Sequence, residues 1–75
     1  MATMATEHNH LAQAIRHIAQ GEQRVREQRA LVARLAEHGH DTTLAELLLD
    51  TMQTSLNRMN DHRQLIEQAI ARGRK

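Results

Sequence analysis

The chain has no cysteine, tryptophan, tyrosine, phenylalanine or proline. Each absence removes a class of protein. Without cysteine there is no disulfide staple and no thiolate zinc site, and the redox compartment is unmarked. Without aromatic rings there is no stacking platform for single-stranded nucleic acid. Without proline nothing prevents long, unbroken helices. Apolar runs are only a few residues long, Leu47-Leu48-Leu49 among them, so no segment approaches a bilayer span. The start, Met1-Ala2-Thr3-Met4-Ala5-Thr6, has neither a basic opening nor an export-length apolar stretch. A cytoplasmic protein that meets no membrane is therefore expected. Ten Lys+Arg stand against nine Asp+Glu, a balance without the basic excess of a nucleic-acid footprint. There is no glycine-rich phosphate loop and no recognisable Ser-His-Asp or metal-hydrolase spacing. No catalysis, no catalytic residue and no cofactor are expected.

What is present is helix-forming. Ala, Leu, Arg, Gln and Glu are frequent, and the 75 residues suffice for one small domain. The organising stretch is Glu37-His38-Gly39-His40-Asp41-Thr42-Thr43. Gly39 suits the residue after a helix, where a positive φ is common and a Cβ is unwelcome. Asp41 can accept N–H groups at the start of a second helix, and Thr43 with Glu46 has the spacing of a capping box. His38 falls in the last turn of the first helix, where positive charge is favourable. A stop and a start this close make a bend of about three residues, which forces two antiparallel, adjacent helices. The expected organisation is a tail over 1–6, a helix over 7–38 with Thr6 as its N-cap, a turn over 39–41, a helix over 42–72 stopped by Gly73, and a tail over 73–75.

Each half carries a seven-residue apolar line, the mark of shallow knobs-into-holes packing. In the first half it is Leu11, Ile18, Val25 and Val32; in the second it is Ala45, Met52, Met59 and Ile66. Folding the lines together pairs residues whose numbers sum to roughly 80, as a tight antiparallel hairpin requires. Leu35 then meets Leu44 and Ala45, Gln28 lies level with Met52, and Gly21 faces Met59. A helix-interior glycine at Gly21 predicts close approach by a large side chain. Gln28, Ser55, Glu22 and Arg29 interrupt the seam and are expected to set its register or sit at its edge.

Two helices have a seam but no interior, and a chain this short needs a disulfide, a metal or oligomerisation. The apolar arc of the second helix is also wider than one seam can cover. The expected fold is therefore all-α: an antiparallel two-helix hairpin that dimerises into a four-helix bundle. The residues expected to form its core and dimer contacts are Leu11, Ile15, Ile18, Val25, Val32, Leu35, Leu44, Leu48, Leu49, Met52, Leu56, Met59, Ile66 and Ile70, with Leu47 and Leu65 widening the stripe. This plan is similar to that of the plasmid-encoded Rop family, whose hairpins dimerise and bind RNA, although no sequence motif is shared. The segments His17-Ile18-Ala19-Gln20-Gly21-Glu22, Gln28-Arg29-Ala30-Leu31-Val32 and Gly39-His40-Asp41-Thr42 resemble short helical-hairpin proteins of alphaproteobacterial genomes. That resemblance covers most of the chain beyond the tail. It implies a hairpin and carries over no activity.

The candidate chemistry lies in histidines and arginines. His17 and His62 come to about the same level of the hairpin and could approach across the seam. A transition metal would need a further ligand, such as one from a second subunit. The plainer reading is two boundary histidines that bond to backbone or to Glu22, Asn57, Asn60 or Asp61. His38, His40 and Asp41 could hold a surface metal only if a fourth ligand were supplied; the plainer reading there is capping. Arg16, Arg24, Arg26, Arg29 and Arg34 crowd the first helix as an RNA-binding face would, but Glu22, Glu27 and Glu37 dilute it. Local pairs such as Glu22/Arg26 and Arg63/Glu67 account for these charges more simply. The functional expectation is a self-associating protein–protein interaction module or regulator, with a Rop-like RNA binder and a histidine-dependent metal binder as alternatives. The partner is expected to be a second copy and possibly another protein, without nucleic acid.

Overall fold

The computed structural model describes residues 4–73, with side chains from Thr6 onward. It contains two α-helices, α1 over Met4–Glu37 and α2 over Thr43–Arg72. They lie antiparallel and side by side in a rod 58 Å long and 17 by 15 Å across. The fold is an all-α helical hairpin, and no helix among the described residues is long and apolar enough to cross a membrane.

α1 begins at Met4, earlier than the expected Glu7. Met4 and Ala5 are good helix formers and nothing beside them breaks the ladder, so Thr6 lies inside the first turn and is not its N-cap. The rest of the expected N-terminal tail, residues 1–3, and Arg74 and Lys75 of the C-terminal tail lie outside the described residues.

The bend is built from its own side chains. α1 ends at Glu37, and Gly39 takes φ 72°. The His40 N–H donates to the Leu35 carbonyl at 2.9 Å and the Gly39 N–H to that of Ala36 at 3.1 Å. This crossed pair closes a helix on a left-handed residue and satisfies carbonyls that would otherwise be orphaned. The Arg34 carbonyl accepts twice from His38, from its N–H at 3.2 Å and from ring Nδ1 at 2.8 Å. That second bond requires the Nδ1–H tautomer or the cation.

α2 opens differently from expectation. Asp41 Oδ1 accepts the Thr43 N–H at 2.9 Å and the Thr43 hydroxyl at 2.7 Å. Asp41 therefore does satisfy a helix-start N–H, from one residue before the cap. The cap position itself is Thr42, whose side chain makes no capping bond. The Thr43–Glu46 capping box does not form. Thr43 is already the first helical residue, and its hydroxyl is turned back onto Asp41. At the far end α2 stops at Arg72, but Gly73 keeps right-handed angles, φ −74° and ψ −9°. The helix ends there without using glycine's left-handed freedom.

The seam carries two apolar clusters. Near the chain ends Ala14 packs with Ile66 and Ile70, and Leu11 leans on them. In the middle Ile18, Val25 and Leu56 are joined by Leu49, Met52 and Met59. A Cβ on Gly21 would lie 3.2 Å from Leu56 Cδ1 and 3.6 Å from Met59 Sδ. Close approach of the helices depends on that missing atom, with Leu56 nearer than the expected Met59. Towards the bend Val32, Leu35 and Ala45 are half-buried.

Two outcomes follow for the bend. Gly39→Ala places a Cβ in the left-handed region with open space around it, so strain alone should destabilise the fold by about 1–2 kcal/mol, and Gly39→Asn should lose less; urea melts compare the two. The Thr43 backbone N–H, and then the Thr43 hydroxyl, hold the Asp41 carboxyl below its ordinary pKa of 3.8. A lowered folded pKa adds stability above the unfolded value that is lost as pH falls through the folded one. The advantage of the parent over Asp41→Asn should therefore be present at neutral pH and vanish in strong acid, as read from melts at both.

Candidate interaction surface

The seam divides the hairpin into two unlike long faces. Residues seven apart on a helix share a line along its surface. On α1 the line His10, His17, Arg24 and Leu31 rims one face, and on α2 the line Leu48, Ser55 and His62 rims the same face. Three shallow depressions run along the groove between them. Nearest the bend, Leu31, Leu35, Leu44, Ala45 and Leu48 surround a hollow of about 350 Å³, with Gln28 and Asp41 also lining it. In the middle, Gly21, Met52, Ser55, Leu56 and Met59 line the next, beside Arg24 and Thr51. At the end that holds both termini, His10, Gln13, Ala14, His17 and His62 line the third. The face is thus graded from leucine at the bend to imidazole at the open end.

The opposite face is bridged by polar side chains. Arg29 Nη2 donates to Gln53 Oε1 across the helices at 3.1 Å, and Gln53 Nε2 donates to Asn57 Oδ1 at 3.1 Å. Asn60 Nδ2 donates to the Leu56 carbonyl at 3.1 Å. Arg63 Nε and Glu67 Oε1 form the expected i,i+4 ion pair at 3.4 Å, without a hydrogen bond between them. Towards the chain ends Ile15 stands exposed on this side, with Leu11, Ala12, Ile18 and Ala19 as its helical neighbours, and Leu11, Ile70 and Ala71 line a shallow hollow beside His8 and Glu67. Arg26 donates to Gln23 Oε1 at 2.7 Å, and not to the expected Glu22.

One polar side chain crosses the seam near the bend. Gln28, 8 % exposed, donates from Nε2 to the Ala45 carbonyl at 2.9 Å. The bond ties the middle of α1 to the first turns of α2, closer to the bend than the expected level of Met52. A buried amide needs such a partner, and here the partner is a fixed backbone atom, so the bond ties down the register.

The predicted site residues fall into three groups. Ile18, Val25, Leu56, Ile66 and Ile70 are buried in the seam, with Leu11, Val32, Leu35, Leu49, Met52 and Met59 partly so. Ile15, Leu44 and Leu48 lie on the surface of the single chain. His17 and His62 share one groove but are exposed, and among the described residues no three His, Asp or Glu groups are placed to hold a metal. At the bend the rings of His38 and His40 stack at 6.4 Å. Asn57 and Asn60, named as possible partners of the histidines, instead bond along α2. The rim position of Leu31 and the Arg29–Gln53 bridge escaped the sequence reading. The Leu31 signal was there, in the line from His10 to Leu31 that runs parallel to the apolar one.

No family model, no curated protein and no solved structure matches the chain. The resemblances to alphaproteobacterial hairpins and to the Rop plan gain no support from these comparisons.

If the Gln28 amide ties the register, Gln28→Ala should lower stability by about 1–2 kcal/mol, the cost of losing a part-buried hydrogen bond and its packing. Gln28→Leu should recover most of that stability while broadening the NMR resonances of Ala45 and its neighbours; unchanged sharp signals in Gln28→Leu would contradict the register role.

Proposed function

We propose that this protein is a non-catalytic interaction module that works as a self-associated hairpin, two copies packing groove to groove as a four-helix bundle. The observation that carries this reading is the leucine patch at the bend. Leu44 is 80 % exposed, Leu47 58 %, Leu48 48 % and Leu31 36 %. Leu44 adjoins Leu47 at i,i+3 and Leu48 at i,i+4 spacing, and Leu31, Leu44 and Leu48 rim one hollow. Single exposed leucines are ordinary, whereas a contiguous set beside a groove marks an interaction surface.

The seam supports the same reading. Among the described residues no large side chain is completely buried, and Val25, the most enclosed, keeps 4 % of its surface open. A second layer of helices over the groove would seal Met52, Leu56 and Met59 from above. The pattern of polar bonds supports the choice of face, because Arg29, Gln53, Asn57 and Asn60 are already engaged on the opposite side.

The test is mass in solution. The parent should sediment as a dimer at micromolar concentration. Leu44→Ser removes apolar surface twice per dimer, about 3 kcal/mol in all, and should weaken association roughly a hundredfold. Far-UV circular dichroism should remain helical in that variant at high concentration. A well-folded parent of single-chain mass would overturn the proposal. RNA capture with a steep salt dependence, or a zinc-dependent rise in Tm that a His17→Ala, His62→Ala double variant loses, would favour the other readings.

A further inference from the structure

We infer that the occupant of the groove is a second copy of this chain docked with its bend at the same end, so that leucines meet leucines and histidines meet histidines. The inference rests on self-association through the groove and adds its orientation. Area comes first. The long side of a rod 58 by 17 Å presents on the order of 1,000 Å², and a stable interface needs about 800 Å² from each partner. Two copies must therefore overlap along nearly their whole length. Docking by the bend patches alone, with the rods pointing apart, would use less than half of that area.

Full overlap of two identical faces leaves two kinds of two-fold arrangement. One keeps the bends together and sets α1 of each copy over α2 of the other. The second swaps the ends and sets α1 over α1. The gradient along the groove separates them. With ends swapped and the rods fully overlapped, Leu31 comes over the level of His10, and an imidazole is desolvated against leucine with no partner, while Leu48 falls past His62 towards the end of α2. With bends together, Leu31 and Leu48 cover each other's copies and the apolar patch closes on itself. At the open end imidazole meets imidazole. A neutral ring carries one donor and one acceptor, so histidine is complementary to itself.

The middle of the groove points the same way. Arg24 of α1 and Ser55 of α2 both line the central hollow. With bends together, Arg24 lies over Ser55 of the second copy, a guanidinium over a hydroxyl acceptor. With ends swapped, α1 lies on α1 near mid-length, and the two Arg24 side chains stand within about 10 Å along the axis, like charge towards like charge.

The absence of native cysteine makes the test clean, because one introduced thiol is the only one. His40→Cys at the bend and Arg72→Cys at the open end are exposed, and neither residue lines the three hollows of the groove. Each is labelled with a nitroxide, and the interspin distance is measured by pulsed dipolar spectroscopy, with mass read in parallel by light scattering. The expected result is a short distance, below about 25 Å, for both variants in a particle of dimer mass. A bend-to-bend distance near the helix length of about 45 Å, or a mixture of short and long, in a dimer would overturn the orientation while self-association stands. A folded particle of single-chain mass with no dipolar signal would overturn self-association itself.

Discussion

Everything in this molecule depends on a limit of geometry: two helices can share a seam but cannot enclose a volume. Each seam residue has a neighbour on the facing helix and on its own, and above and below it the groove is open. Val25, Ile18, Leu56, Ile66 and Ile70 are covered because they point straight at the opposite helix. Residues one step further round the wheel, such as Leu44 and Leu48, leave that shelter at once. The hydrophobic free energy of a hairpin is thus capped by its single line of contact, and a wide apolar arc on α2 goes beyond what that line can use.

Within that limit the chain places its specificity in a few atoms. Gly21 gives up a side chain so that Leu56 and Met59 can come close. Gln28 gives up a hydrophobic position so that its amide can hold the Ala45 carbonyl. The bend does the same locally: Gly39 turns the chain, the His38 ring and the crossed backbone bonds finish α1, and Asp41 gathers both the N–H and hydroxyl of Thr43. These interactions set where the two helices stop and at what level they pair. The outward-facing residues then differ from one side to the other, with bridging amides and an ion pair on one face and a leucine-to-histidine gradient on the other.

The hairpin was legible because its signals are local and redundant. Gly39 followed closely by Asp41 and two threonines can hardly sit inside a helix, and two seven-residue lines imply one register. The pairing of Gly21 with the level of Met59 could be anticipated because a glycine in a helix asks for a neighbour. Details that depend on competing local bonds were harder. The Thr43 hydroxyl could have turned towards Glu46 or back onto Asp41, and it takes the second course, a choice between two nearby partners that residue types do not encode. The start of α1 at Met4 reflects the lack of any breaking residue there, and that is a weaker signal than a cap. Gln28 looked like an interruption of the seam; its acceptor is a backbone carbonyl, and every residue has one of those, so the partner left no trace in the sequence.

The sequence by itself determined that the chain is helical, that it bends once near Gly39, and which lines face inward, because propensity, capping and periodicity act through neighbours at most a few turns apart. Only the tertiary structure decided which flank of each line is braced by polar side chains and which is a groove. That choice depends on the direction in which the bend rolls one helix against the other. The roll brings His17 and His62 onto one groove and sends Arg29 to Gln53 on the reverse side, a consequence of a few dihedral angles between His38 and Thr42 that no spacing along the chain records.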